Sequence, residues 1–206
     1  MVDDSPSVGP LMSFRSACER YDLWNVLLDS PALRLLYAGG IAAIANERYD
    51  TLASLLLAPH SRYGTTTSVV QALSPARLNA DNWAQQLYPG RNLFTPLSEH
   101  LLATLKPAFA SLLIDETTYE SAFDDFESLR CLVNHDLNGT YGGSSGRFVW
   151  KRQNWAGDPA AMPFDRIKIQ AEAAGSEWSP LKAGLFSGSL ERFLTVEASY
   201  RATLRI

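Results

Sequence analysis

Apolar residues recur at three- and four-residue spacing along most of the chain, which is the period of a helix buried on one side. The longest such pattern is DETTYESAFDDFESLRCLVNHDLN, residues 115–138, where Thr117 and Glu120 are placed as a capping box. The apolar positions of its inner face are Tyr119, Phe123, Phe126, Leu129, Val133 and Leu137. The pattern predicts a long amphipathic helix with this face in the core.

The stretch SPALRLLYAGGIAAIANERYDTLASLLLAP, residues 30–59, predicts two helices that turn at Asn46–Arg48. Ser30 is placed as the N-cap, with a proline at the first helical position. Gly39 and Gly40 lie inside the first helix, where glycine costs up to ~1 kcal/mol relative to alanine. The glycine pair therefore predicts close packing against another helix, and the two helices resemble one unit of a solenoid.

Further helices are predicted near 75–87 and 96–113, and helical patterns return at about 166–174 and 188–203. Together these patterns predict a mainly α, multi-helix fold with solenoid-like helix pairs. One strand-like run, Phe148-Val149-Trp150, adds a short β-hairpin near 147–170 as a possibility.

The predicted organisation is one helical domain at 11–206 behind a flexible N-terminus at 1–10. Within that domain, residues 138–165 form a connection rich in Gly and Trp. No clean internal repeat is found along the chain.

Composition narrows the class of protein. The chain has 206 residues, of which 46 % are hydrophobic and 19 % charged, as in globular proteins with a substantial core. A net charge of -4 argues against a dedicated nucleic-acid binder. Cys18 and Cys131 match no metal spacing, and neither a signal peptide nor a bilayer-spanning apolar run is found. These features predict a cytoplasmic protein that does not contact a membrane.

The segment NGTYGGSSGRFVWKRQNW, residues 138–155, combines glycines, cations and aromatic rings without an acid. Its glycines do not match the phosphate-binding motifs. Nucleic-acid or anion contact would use the cations and rings Arg147, Trp150, Lys151, Arg152 and Trp155. The alternative, which we favour, is that this basic connection folds back over the acidic helix before it and closes the core with its aromatic rings.

The acids of the long helix have two interpretations. Six acids precede the basic segment, and the four that would form a partner-binding face are Glu120, Asp124, Asp125 and Glu127. In the simpler interpretation these acids form a solvated face. In the other interpretation they form a face that binds a basic protein partner.

Cys131 and His135 are four residues apart, and are therefore neighbours on the surface of the same helix. A cysteine–histidine enzyme is one alternative function. However, the two residues lie opposite Phe123 and Phe126 on a continuous helix, where no sharp turn presents the thiol and a partner helix can cover it. We therefore predict no catalytic residue, no cofactor and no metal site.

Three stretches resemble a known type of region. LLYAGGIAAIANERYDTLASLL, AFDDFESLRCLVNHDL, and GRFVWKR followed by EWSPLKAGLFSGSLERF are similar to the C-terminal helical region of large, mostly uncharacterised bacterial proteins. In those proteins the region often follows an effector or nucleotide-handling domain, such as the SIR2-like domain of antiphage defence systems. The resemblance covers about residues 31–200 and consists of packing motifs, so it carries over no catalytic residue.

The resemblance implies an accessory role, because the chain starts at Met1 and leaves no room for an N-terminal enzyme. The expected function is therefore a non-enzymatic interaction or scaffold module of a bacterial defence or signalling system. Its expected partner is a protein, an effector or nucleotide-handling subunit. Nucleic-acid contact and the Cys131/His135 enzyme are the two alternatives.

Overall fold

The fold is mainly α, as the sequence predicts. The computed structural model describes residues 29–62, 64–75, 83–113, 115–139, 146–151 and 162–204. The first elements are α1 (residues 29–45), α2 (Tyr49–Leu57), β1 (Pro59–Arg62), β2 (Thr65–Ser68), α3 (Val69–Ala72), α4 (Trp83–Gln86) and α5 (Pro96–Phe109). The remaining helices are α6 (Glu116–Asn138), α7 (Phe148–Lys151), α8 (Pro163–Ala174), α9 (Ser179–Lys182) and α10 (Leu190–Leu204). Short 3₁₀ turns at Gly175–Glu177 and Leu185–Gly188 flank α9.

The short β-hairpin is present, but it lies elsewhere than predicted. β1 and β2 pair antiparallel with Pro59 opposite Ser68, and Gly64 in the turn has a φ of 78°. In the predicted range 147–170 the described residues hold no strand, since Phe148–Lys151 and residues 163–170 are helical, and residues 152–161 lie outside the described residues. The β propensity of Phe148 is overridden by packing, because this ring is buried with its centroid 5.0 Å from that of Phe164.

Helix α6 is the element around which the others pack. It contacts α3, α5, α7, α8 and α10, and Tyr37 of α1 packs against its aromatic rings. Its N-cap is Asp115, whose carboxylate accepts a hydrogen bond of 3.0 Å from the Thr118 N–H. The predicted capping box of Thr117 and Glu120 is therefore wrong, because the charged acceptor starts the helix two residues earlier.

The predicted apolar face of α6 is buried except at its end. Tyr119, Phe123, Phe126, Leu129 and Val133 are each at most 2 % exposed. Leu137 is 39 % exposed, because it lies in the last turn of α6. Gly139 ends the helix in the left-handed conformation. The apolar period thus identifies the core side of α6 correctly over most of its length.

Helices α1 and α2 form the predicted pair. The turn between them lies at Asn46–Arg48 as predicted, and Glu47 takes a φ of 53° in it. The predicted N-cap at Ser30 is wrong, since residues 29 and 30 are already helical. The Asp29 carboxylate bonds to Arg62 of β1 at 3.0 Å, a tertiary contact that supports this first turn and that local sequence does not reveal.

The two glycines of α1 face different neighbours. A Cβ at Gly40 would lie 2.7 Å from Cζ of Phe126 and closer still to two other atoms of that ring. A Cβ at Gly39 would lie 3.0 Å from Cδ1 of Leu55 on α2, the mobile end of a flexible side chain. Close helix packing, predicted from the glycine pair, is therefore found, and Gly40 is the position that requires it.

One cluster of buried apolar side chains connects these elements. It extends from Leu33 on α1 through the inner face of α6 to Tyr200 on α10. In the described parts of the chain, no helix combines the length and the hydropathy needed to cross a bilayer. The same core therefore holds the helices at both ends of the described chain.

We predict that Gly40→Ala destabilises the fold by about 1–3 kcal/mol, because the added methyl overlaps a fully buried phenyl ring. Gly39→Ala is the matched control. There the gain in helix propensity of up to ~1 kcal/mol offsets a small shift of Leu55. Urea unfolding followed by circular dichroism measures both variants. Equal stabilities would contradict the packing of α1 on α6.

Candidate functional site

The four candidate acids of α6 do not form a solvated face. Asp124 is 2 % exposed and Glu127 is 1 % exposed, while the side chains of Glu120 and Asp125 are 34 % and 20 % exposed. The prediction of an accessible acidic face for a protein partner is therefore wrong for the two buried residues. The physical reason is that segments on both sides of α6 in the chain pack over it and bring donors to these carboxylates.

Arg147 is the first of these donors. Its Nη2 lies 2.7 Å from Oε2 of Glu120 and its Nε lies 3.4 Å from Oδ1 of Asp124. The residue is only 5 % exposed, so its guanidinium is not presented to a nucleic acid in this structure. The alternative prediction, a basic connection that folds back over the acidic helix, describes what Arg147 does.

The other residues of the predicted basic site are described only in part. The backbone of Trp150 and Lys151 belongs to α7, but their side chains lie outside the described residues, as do Arg152 and Trp155. Nucleic-acid or anion contact through these four residues stays a prediction.

Arg166 of α8 pairs with Asp125, one of the four acids of α6. Its Nη2 bonds to the Asp125 carboxylate and lies 3.0 Å from Oγ of Ser121. Burial raises the pKa of Asp125 to about 6, although the positive charge of Arg166 acts in the opposite direction. This pair fixes α8 against α6.

The carboxylate of Glu127 accepts hydrogen bonds from several parts of the chain. It accepts hydrogen bonds from Tyr37 of α1 at 2.9 Å and from Ser98 of α5 at 2.7 Å. The backbone N–H of Arg147 donates to Oε2 at 3.2 Å and also to Oγ of Ser98 at 3.1 Å. One buried side chain therefore joins three separate segments to α6.

Burial is the main influence on the ionisation of Glu127. It raises the pKa of the carboxyl to about 7, against the opposing effects of Arg130 and of the hydrogen bonds from Ser98 and Tyr37. The Glu127 carboxyl therefore titrates near neutrality, well above an exposed glutamate.

A second buried face of α6 is polar. Its members share three-and-four spacing and are Glu127, Arg130, Cys131, Asn134, His135 and Asn138. All of them except Asn138 are buried. Sequence inspection singled out neither Arg130 nor Asn134. Arg130 and Asn134 can be found by one signal in the sequence. They are polar residues at helical spacing that lie between the apolar positions of a long helix.

Cys131 and His135 belong to this polar face and are covered. Cys131 is 3 % exposed, and Nη2 of Arg130 lies 3.2 Å from its Sγ. His135 is 6 % exposed, and its Nε2 is 3.0 Å from Oγ of Ser199 on α10. Its ring packs edge-on against Tyr200, and its Nδ1 has no hydrogen-bond partner among the described residues. Helix α10 thus covers His135, as expected for a helix packed on this side.

The other two histidines lie outside the polar face of α6. His60 lies on β1, and His100 on α5 is bonded to Arg34 at 3.1 Å and to Tyr88 at 3.3 Å. Burial and the nearby charge of Arg34 lower the pKa of His100. Among the described residues no group of three or more His, Cys, Asp or Glu side chains is arranged to hold a metal ion.

An open, largely apolar groove of about 630 Å³ lies along α10. It is lined by Leu190, Glu191, Leu194, Thr195 and Ala198. Leu190 and Leu194 pack their inner sides against the core, whereas Ala198 is exposed. We call this open surface the α10 groove.

Comparison of the chain with known protein families, with curated proteins and with solved structures gives no match.

We predict that Arg147→Ala lowers the free energy of unfolding by about 3–5 kcal/mol, because it removes a buried cation that lies against the buried carboxylate of Asp124 and bonds to Glu120. Arg48→Ala is the control, since Arg48 and Asp50 form a pair with side chains 63 % and 67 % exposed. Solvent screens such an exposed pair, so its loss should change the stability little. Chemical denaturation of both variants measures the difference, and similar losses would show that Arg147 is not buried.

We predict that Cys131 is unreactive in the folded protein, because a thiol that is 3 % exposed is shielded from alkylation. The measurement uses a Cys18→Ser background, so that iodoacetamide incorporation reports on Cys131 alone. Incorporation is expected only after denaturant is added, and His135→Ala in the folded protein should not change it. Rapid alkylation of the native protein that depends on His135 would instead support a thiol enzyme.

Proposed function

We propose that this chain is a non-enzymatic helical module that binds a protein partner in a bacterial defence or signalling system. The observation that carries the proposal is the burial of Arg147 against Glu120 and Asp124. A cation that is paired inside the fold cannot bind a phosphate group. A chain of net charge -4 also repels a polyanion at longer range. The likeness to regions that follow effector or nucleotide-handling domains supports a partner of that class.

The α10 groove supports the choice of a protein as partner and suggests where it binds. Apolar side chains line the groove together with one carboxylate, Glu191, and one hydroxyl, Thr195. An amphipathic segment of a partner is recognised by such a surface, because its apolar residues fill the groove while its cations meet the carboxylate. The proposed occupant is therefore an amphipathic, positively charged segment of the partner protein.

A second candidate function rests on one contact. Nη2 of Arg130 lies 3.2 Å from Sγ of Cys131, and a neighbouring guanidinium favours a thiolate. This contact favours an enzyme that uses Cys131, with His135 one turn further along the helix. The burial of both residues favours the interaction module.

We expect Ala198→Arg to weaken the complex with the partner at least tenfold, because the long side chain fills the exposed part of the groove without disturbing the core. Ala173→Arg, an exposed alanine on the separate helix α8, is the matched control and should bind as the native chain does. The partner is identified by co-purification from the native host. Its affinity for each purified variant is then measured by calorimetry.

Two results would contradict the proposal. The first is equal binding by the Ala198→Arg and Ala173→Arg variants, which would remove the α10 groove as the contact surface. The second is a micromolar or tighter complex with labelled oligonucleotides at about 150 mM salt, lost steeply at higher salt and weakened by Lys151→Ala. That outcome would establish the nucleic-acid alternative through the residues of α7.

A further inference from the structure

Most arginines in the described parts of the chain pair with a carboxylate. They are Arg48, Arg62, Arg147, Arg166, Arg192 and Arg201. Arg34 of α1 and Arg91, which lies between α4 and α5, differ from them. Both are exposed, and neither makes an ion pair with an acid among the described residues. These two cations are therefore available to an anion that comes from outside the fold.

Arg34 is bonded to a histidine instead of an acid. Its Nη2 lies 3.1 Å from Nε2 of His100 on α5. A guanidinium carries donors only, so Nε2 must accept this bond and the imidazole is neutral, with its proton on Nδ1. Nδ1 then donates to the hydroxyl of Tyr88 at 3.3 Å. The two contacts together determine the tautomer of His100.

Tyr88 connects the second cation to this histidine. The guanidinium carbon of Arg91 lies 5.8 Å from the centroid of the Tyr88 ring, and the rings of Tyr88 and His100 pack edge-on with centroids 6.2 Å apart. Gln85 of α4 holds the segment in place. Its side-chain oxygen accepts from the N–H of Leu93 at 3.1 Å, and its Nε2 donates to the carbonyl of Arg91. Contacts between side chains thus place both arginines beside one histidine.

The segments that carry these side chains contain no acid. Neither residues 30–46 nor residues 83–98 include an Asp or a Glu. Glu99, next to His100 on α5, makes no ion pair among the described residues. Burial and the positive charge of Arg34 lower the pKa of His100. The cluster therefore has cations but no counter-ion of its own.

We propose that Arg34 and His100 bind the phosphate group of a ligand, and that Arg91 adds positive charge beside them. The N–H groups of Arg34 that do not face His100 make no hydrogen bond to the described residues, so its planar fork can donate to phosphate oxygens. Once Nε2 of His100 is protonated, it donates to the phosphate instead of accepting from Arg34. The site shares no residue with the α10 groove, so it does not rest on the proposed function.

A bound anion changes the ionisation of His100. A neighbouring negative charge favours the imidazolium, so the pKa of His100 rises on binding from its lowered value in the free protein. The complex therefore holds the proton more tightly than the free protein does, and affinity increases as the pH falls. A phosphate monoester itself gains a proton near pH 6. Sulfate stays a dianion at this pH, and is therefore the probe whose pH dependence reports on the protein alone.

Titration of the full chain with sulfate at constant ionic strength tests the site. The Cε1 proton of His100 is followed by NMR, with those of His60 and His135 as references in the same sample. Binding in the millimolar range is expected, about three- to tenfold tighter at about pH 5.5 than at about pH 8.

Three variants identify the residues that bind sulfate. Arg34→Gln should weaken binding at least about tenfold, because it removes the charged donors. Arg48→Gln is the matched control, since this exposed arginine pairs with Asp50, and it should bind as the native chain does. His100→Gln should bind sulfate with an affinity that no longer depends on pH, as measured on the Nε–H resonance of Arg34.

Two outcomes of the titration would overturn the site. One is equal affinity of the native chain and Arg34→Gln, which would mean that sulfate binds elsewhere. The other is an affinity of the native chain that does not change with pH, which would remove His100 from the site. A phosphoserine peptide and AMP, each compared with its phosphate-free form, then distinguish a phosphorylated protein from a nucleotide as the source of the phosphate. If the phosphate group increases the affinity of neither molecule, the assignment to phosphate is wrong.

Discussion

The structure depends most on a carboxylate that is buried at the centre of the helical assembly. Burying an ionisable group costs several kcal/mol, and the cost is tolerable only when nearby donors satisfy its oxygens. Glu127 meets this condition with donors from α1, from α5 and from the backbone N–H of Arg147. These donors can reach the carboxylate only if all three segments pack on α6 in one arrangement. The interaction therefore selects that arrangement, even though it contributes little net stability.

Helix α6 is consequently buried on more than its apolar side. The face that carries Phe123 and Phe126 packs in the ordinary way, by excluding water from aromatic rings. The polar face, from Glu127 to His135, is matched by donors and acceptors on the surrounding elements. Shape alone allows neighbouring helices to slide along an apolar face, whereas a buried polar group left without its partner costs about 1–3 kcal/mol. The polar face thus sets the register in which the other helices dock.

This use of charge inside the fold bears on the proposed function. The cations Arg147 and Arg166 and the acids of α6 neutralise one another within the protein. They are therefore not presented together as a charged surface, either basic or acidic. The α10 groove is a different kind of surface, apolar and open. A partner recognised through apolar contacts is consistent with a chain whose most conspicuous charges are internal.

By itself the sequence determined the features that depend on neighbouring residues. The helical period predicted α6 and its core face, the break at Asn46–Arg48 and the close packing at Gly40, because spacing, turn chemistry and glycine act over a few residues. The same reasoning overestimated the strand propensity of Phe148 and missed the exposed, threonine-rich β2.

Only the tertiary structure decided what the charged residues do. The donors to Glu127 lie 90, 29 and 20 residues away in the chain, at Tyr37, Ser98 and Arg147. An acid on a helix has the same local sequence whether it is solvated or buried. Its environment is set by the segments that fold over it, because the free energy of a buried charge depends on the atoms within a few ångströms of it. Spacing therefore revealed the fold class and the face of α6, and packing determined which of its polar residues became part of the core.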